Sequence, residues 1–223
     1  MNIHNFFSAF SKIVLAILFF AIIKSVSLLI SLANKYHNIA AYIIVGALIL
    51  ILIIFDLFLA TKVKILDLKK VRVSFSDFKN CVSWLLVILG VKVVGGLILL
   101  IEKETTTYNE KVLEDFLMYT PIFIVILFTA ISAPIMEEIL FRGFILKVCL
   151  VNHMLFGTMI SGILFGLAHH PTNLGSFFTY AGMGVVFGSY YKKYQRIELS
   201  ILLHFFNNLI GLIPYVYVFL LSN

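Results

Sequence analysis

Charge is scarce in this sequence. Only 13% of its 223 residues are Asp, Glu, Lys or Arg, against 61% hydrophobic. A soluble domain carries about 25% charged and 45–50% apolar residues. A soluble fold of this length keeps too much of its surface wet to hide so many apolar side chains, so a soluble enzyme and a disordered chain are excluded. Cysteine is scarcer still. Cys81 and Cys149 are too few for a disulfide scaffold, have no metal-motif spacing, and read as small residues within or beside apolar stretches. Also missing is the apolar–polar alternation of a membrane β-barrel, replaced by long unbroken apolar runs. What remains is an all-α fold, a polytopic transmembrane helical bundle.

A bilayer core takes about 20 apolar residues per crossing. Candidates run from Ile13 to Ala33, Ile39 to Ala60, Val82 to Ile101, Phe116 to the Met136 region, His153 to Ala168, Leu174 to Tyr191 and Leu199 to Leu221. The last is interrupted by Gly211 and Pro214 and reads as one kinked helix or a helix plus a hairpin. The expectation is seven or eight spanning segments. The first is too long and too weakly flanked for a cleaved signal. The net charge of +6 sits mostly in short loops. The Thr61 to Asn80 loop carries six Lys and Arg against Asp67 and Asp77, while the Glu102 to Asp115 loop is acidic. The positive-inside rule then puts the basic loop, the Lys192–Arg196 loop and the N-terminus in the cytoplasm. Val73, Phe75 and Phe78 suggest a short interfacial helix in the basic loop. No aromatic-plus-basic surface suited to nucleic acid is present.

Polar residues inside apolar stretches are costly and usually pair or do chemistry. Lys24, Asp56 and Lys92 read as snorkelling or interhelical pairing. The rest gather after Phe116. In Ala133 to Gly143, Glu138 and Arg142 are four apart and share a helix face, so they can form an ion pair. Glu137 lies about 100° round and can face a different partner. One neutralised acid beside one free acid suits a general base in a low-dielectric site, although a structural salt bridge would also use these residues. Phe165 and His169 share a second face, with His170 reading as a helix cap before Pro171. His204 and Asn208 share a third. Two donors side by side can hold an oxyanion or merely bond between helices, as Asn207 can too.

The ordered set E-E-x-x-x-R, F-x-x-x-H and H-x-x-x-N resembles the CPBP family, the CAAX-protease and bacteriocin-processing proteins also called Abi. The resemblance covers roughly Phe116 to Gly211, with every motif position filled. It implies variable transmembrane helices and a basic cytoplasmic loop over residues 1–115 and a catalytic helical core over residues 116–223. It implies that Glu137 and His169 activate a water and that His204 and Asn208 stabilise the tetrahedral intermediate. Glu138, Arg142 and Phe165 would support them. No metal is needed in this reading. H-E-x-x-H spacing is absent and Asn is a poor zinc ligand; the alternative is zinc on Glu137, His169 and His204.

The function expected is intramembrane endopeptidase activity in a bacterial cell membrane. Its substrate would be a peptide or protein, such as a leader peptide, bacteriocin, toxin or signalling peptide, with processing or self-immunity as the role. A non-catalytic immunity or scaffold protein is the alternative. A secondary transporter would show an inverted repeat, and none is visible. One geometric difficulty stands: if the fourth and fifth segments run simply in opposite directions, Glu137 and His169 fall at different depths. An elbow in Phe144 to Asn152 would place Glu137 deeper.

Overall fold

The computed structural model describes residues 3–36, 38–150 and 153–222. Among them are eight helices and no strand. They are α1 (Ile3–Tyr36), α2 (Ile39–Lys62), α3 (Phe75–Ile101), α4 (Tyr108–Tyr119), α5 (Ile122–Cys149), α6 (Met154–Ala168), α7 (Leu174–Tyr194) and α8 (Ile197–Ser222). Five of these, α1, α2, α3, α5 and α8, are long and apolar enough to cross a membrane. The helical bundle is the one the sequence predicts.

Several helix starts are written in local chemistry. Reciprocal capping boxes open α3 (Ser74 with Asp77), α4 (Thr107 with Glu110) and α7 (Asn173 with Ser176), each satisfying amide donors that a helix start otherwise leaves bare. Glu102, at the end of α3, reaches the start of α7. Its carboxylate accepts from the Leu174 N–H at 3.0 Å and the Gly175 N–H at 2.9 Å, where the helix dipole favours a negative charge. Part of the acidity of the Glu102 to Asp115 loop is therefore structural.

The span limits differ from the sequence expectation in three places. The fourth segment does not begin at Phe116. Amphipathic α4 ends at Tyr119, and α5 begins after Pro121, which lacks the N–H needed to continue a helix. The third span starts at Phe75, so Phe75 and Phe78 belong to α3 and the basic loop holds only a 3₁₀ turn, Leu68–Lys70. The last segment is one helix running through Gly211 and Pro214.

At the centre lie α6 and α7, packed to backbone contact. A Cβ on Gly184 would sit 2.8 Å from the Cα of Gly162, and one on Gly166 would sit 2.8 Å from the Cβ of Ala181. Small residues allow this approach in a membrane, where helix association rests on packing. α7 is enclosed, with Tyr180, Phe187, Tyr190 and Tyr191 buried. Around it, α5 is irregular. Its hydrogen-bond ladder widens to π geometry at Leu127–Ser132 and again at Ile139–Cys149, on either side of an α-helical piece, Ala133–Glu138.

That irregular helix carries on past Arg142 to Cys149, which removes the difficulty of depth. Glu137 lies 12 residues above the α5–α6 connection at Cys149, and α6 is only 15 residues long. At a rise of about 1.5 Å per residue, Glu137 and the end of α6 both lie roughly 20 Å from that connection.

Of the three charges expected to snorkel or pair, Asp56 does neither. It is 1% exposed and both carboxylate oxygens lack a hydrogen-bond partner. Lys24 lies 3.3 Å from Nε2 of His170.

Candidate active site

The two adjacent acids of α5 occupy different surroundings. Glu138 is completely buried. One oxygen meets Nη1 of Arg142 at 2.9 Å and Nδ1 of His204 at 2.9 Å, and the other accepts from Ser200 Oγ at 2.8 Å. Arg142 is equally buried. Its Nη2 donates to the Gly184 carbonyl at 2.8 Å, and the guanidinium lies 4.8 Å from the Phe165 ring centroid and 5.2 Å from that of Phe187. Two buried charges are tolerable when paired, and the aromatic faces add to the cation's stabilisation, although among the described residues Arg142 Nε and Nη1 make no hydrogen bond. The Gly184 carbonyl is reachable because the α6–α7 glycines bring these backbones so close.

Glu137 turns the other way. Its side chain is 15% exposed and it faces a cavity of about 360 Å³. His169, His204 and Asn208 line the same cavity, so α5, the end of α6 and α8 each contribute to it.

The two histidines are held in defined tautomers. Nδ1 of His169 is 2.8 Å from the Phe165 carbonyl. A carbonyl only accepts, so Nδ1 carries the proton and Nε2 of a neutral ring has a lone pair. The ring is clamped by Tyr180, stacked at 4.4 Å and 8°, and by Phe165 at 4.5 Å. Nδ1 of His204 donates to Glu138, its ring stacks on Phe187 at 4.4 Å, and its Nε2 lies 3.8 Å from the Glu137 carboxylate.

Asn208 is fixed through the main chain of α5. In the first π turn Ala133 N–H bonds to Phe128 O, and Pro134 has no N–H, so Thr129 O has neither an i+4 nor an i+5 donor. Asn208 Nδ2 donates to that carbonyl at 2.8 Å. Its Oδ1 accepts from Asn207 Nδ2 at 2.9 Å. Among the described residues, the second Nδ2–H of Asn208 has no hydrogen-bond partner.

All seven motif residues thus meet in one region. Glu137, His169, His204 and Asn208 line the cavity, while Glu138, Arg142 and Phe165 stand behind it. His170 is not among the lining residues; it adopts a left-handed backbone conformation (φ 50°) beside Lys24. Sequence reading misses Tyr180, Phe187 and Ser200, and the carbonyls of Thr129, Phe165 and Gly184. Only Ser200 leaves a signal: it sits four residues before His204, on the face that also carries Asn208. Among the described residues, no group of three or more His, Cys, Asp or Glu side chains is placed to hold a metal ion.

Fold and site together define a membrane-embedded helical bundle with a cavity on which Glu137, His169, His204 and Asn208 converge. A family model described as type II CAAX prenyl endopeptidase, Rce1-like, matches residues 119–210, which hold all seven motif residues. YvdC of Lactococcus lactis subsp. lactis (strain IL1403), named a UPF0177 protein, is 30% identical over 139 residues, 62% of this chain and 53% of that protein. YbdI of the same strain, also named a UPF0177 protein, is 30% identical over 130 residues, 58% of this chain and 67% of that one. YdiL of Bacillus subtilis (strain 168), provisionally named a membrane peptidase, is 30% identical over 101 residues, 45% of this chain and 40% of that one. The matches span between 40% and 67% of the length of these curated relatives. No solved structure matches the chain. The chain belongs to the CPBP, or Abi, family and is an integral membrane protein.

Proposed function

We propose that this chain is an intramembrane endopeptidase that hydrolyses a peptide bond with a water activated by Glu137 and His169. The observation that carries the reading is the division between the acids: Glu138 is fully bonded to Arg142, His204 and Ser200, while Glu137 faces the cavity. Outside the Arg142 ion pair and on the same cavity as His169, the Glu137 carboxylate can serve as a general base.

In the proposed step, the water oxygen attacks the scissile carbonyl carbon as Glu137 takes its proton, with His169 Nε2 accepting the other hydrogen bond. The oxyanion is held by the free N–H of Asn208 and by Nε2–H of His204. Since Nδ1–H of His204 already serves Glu138, its Nε2 donates only in the imidazolium form. Both carboxylates lie within reach of that ring, Glu138 at 2.9 Å and Glu137 at 3.8 Å, to balance the charge when it forms. Collapse breaks the C–N bond, and the proton on Glu137 passes to the leaving amine. Water is consumed, and one acid and one amine are formed. No metal takes part.

The substrate is a peptide precursor in or on a bacterial cell membrane, such as a bacteriocin, toxin or signalling peptide, and the role is processing or self-immunity. The N-terminus and the basic loop face the cytoplasm, following the positive-inside rule.

The test is cleavage of a proteome-derived peptide library by the full chain in detergent micelles. Glu137→Gln is expected to lower cleavage by about 10²-fold or more while expression and thermal unfolding stay unchanged, and chelators are expected to leave wild-type cleavage intact. Wild-type cleavage by Glu137→Gln sinks the assignment of the base. A wild-type chain that cleaves nothing, yet retains a bound peptide, favours the non-catalytic immunity or scaffold reading.

A further inference from the structure

Glycine serves two ends in this bundle. On α6 and α7 each missing side chain is replaced by the neighbouring helix, as at Gly162, Gly166 and Gly184. Gly96 on α3 and Gly211 on α8 are different. A Cβ at either would meet no other atom within 4 Å, yet both positions line the catalytic cavity. Gly90 also has open space round it, but it is exposed and not part of the lining.

The empty space beside these two glycines is continuous with the reacting groups. Gly96 lies one turn from Lys92 on α3, and Gly211 lies one turn from Asn207 and close to Asn208 on α8, and all of these line the same cavity. Glycine is unfavourable inside a helix compared with alanine. No packing contact requires it at these two sites, so what it provides here is room. The wall around that room is mixed: Leu99, Leu113, Phe116 and Leu212 supply apolar surface, and Lys92, Asn109 and Glu110 supply polar groups. The whole cavity has the volume of a small-ligand pocket.

We propose that Gly96 and Gly211 hold open a side-chain subsite beside the scissile bond, which takes a large apolar residue of the peptide substrate. This rests on the peptidase reading of the cavity. The bond to be cut must lie against Glu137 and His204, and the neighbouring side chain then extends toward α3 and the later turns of α8. An apolar side chain fills the space without leaving a polar group unpaired in a dry site.

The experiment maps cleavage sites in the same proteome-derived peptide library for the wild type, Gly96→Leu, Gly211→Leu and Glu137→Gln. Wild-type sites are expected to carry Leu, Ile, Phe or Met at one position flanking the cut. Gly96→Leu and Gly211→Leu are expected to unfold at the wild-type temperature, because the new side chains enter open space. Both should reduce cleavage of those sites by tenfold or more and shift the profile toward Gly, Ala and Ser at that position. An unchanged profile in both variants overturns the subsite while leaving the peptidase intact, as does a wild-type profile with no apolar preference. Absent wild-type cleavage, or equal cleavage by Glu137→Gln, overturns the peptidase reading and the subsite with it.

Discussion

Arg142 shows how narrow the margin is for a charge in this interior. It has no exposure, one carboxylate against Nη1, one carbonyl at Nη2 and aromatic rings on its faces. Removing one member of a buried ion pair leaves the other charge stranded and costs about 3–5 kcal/mol. Arg142→Met is therefore expected to destabilise the chain by about that amount in detergent unfolding, and Glu138→Gln in the same chain should restore part of the loss. An unfolding curve unchanged by Arg142→Met would show that the pair contributes nothing. At this scale the charged residues were readable because charge is rare among apolar runs. Tyr180 and Phe187, which clamp the histidines, were not, since aromatic residues are ordinary in an apolar helix. The carbonyls of Thr129, Phe165 and Gly184 were not either, because every residue has one and only the fold decides which is left over.

At the scale of the element, α5 sets the site through its interrupted ladder. The break at Pro121 and the π turns have different standing. Proline explains the first directly, although the span read from the sequence ran through it, whereas a π turn follows from which carbonyls find donors elsewhere in the bundle. Pro134 lies where both influences meet. Pro134→Ala supplies an N–H that can bond to Thr129 O and displace Asn208. Replacing a proline inside a helix should leave stability equal or raise it, while misplacing an oxyanion donor should slow cleavage by roughly 10- to 100-fold. Opposite movement of thermal unfolding and turnover is the expected signature. Parallel loss of both would mean that the proline is needed only for folding.

The bundle as a whole was legible from its apolar runs, while its internal arrangement depended on contacts between distant segments. Alternation of spans places α6 beside α5, but the glycine contacts of α6 with α7 and its short length are what bring His169 to the depth of Glu137. Orientation across the membrane can be read from the two thiols. Cys149 is exposed near the α5–α6 connection, and Cys81 is buried. With that connection on the cytoplasmic side, a membrane-impermeant maleimide should label Cys149 in inverted vesicles and leave it unlabelled in intact cells. Labelling of intact cells would reverse the orientation.

Three main-chain carbonyls, of Thr129, Phe165 and Gly184, receive hydrogen bonds from Asn208, His169 and Arg142. For a lineage of such proteins this has a hereditary consequence. A carbonyl survives most substitutions at its own position, so a change at position 129 alters a side chain that lines the cavity while that acceptor is passed on intact. Selection then falls on the residues that decide where those carbonyls lie: a proline that withholds its proton and a glycine that lets two backbones touch.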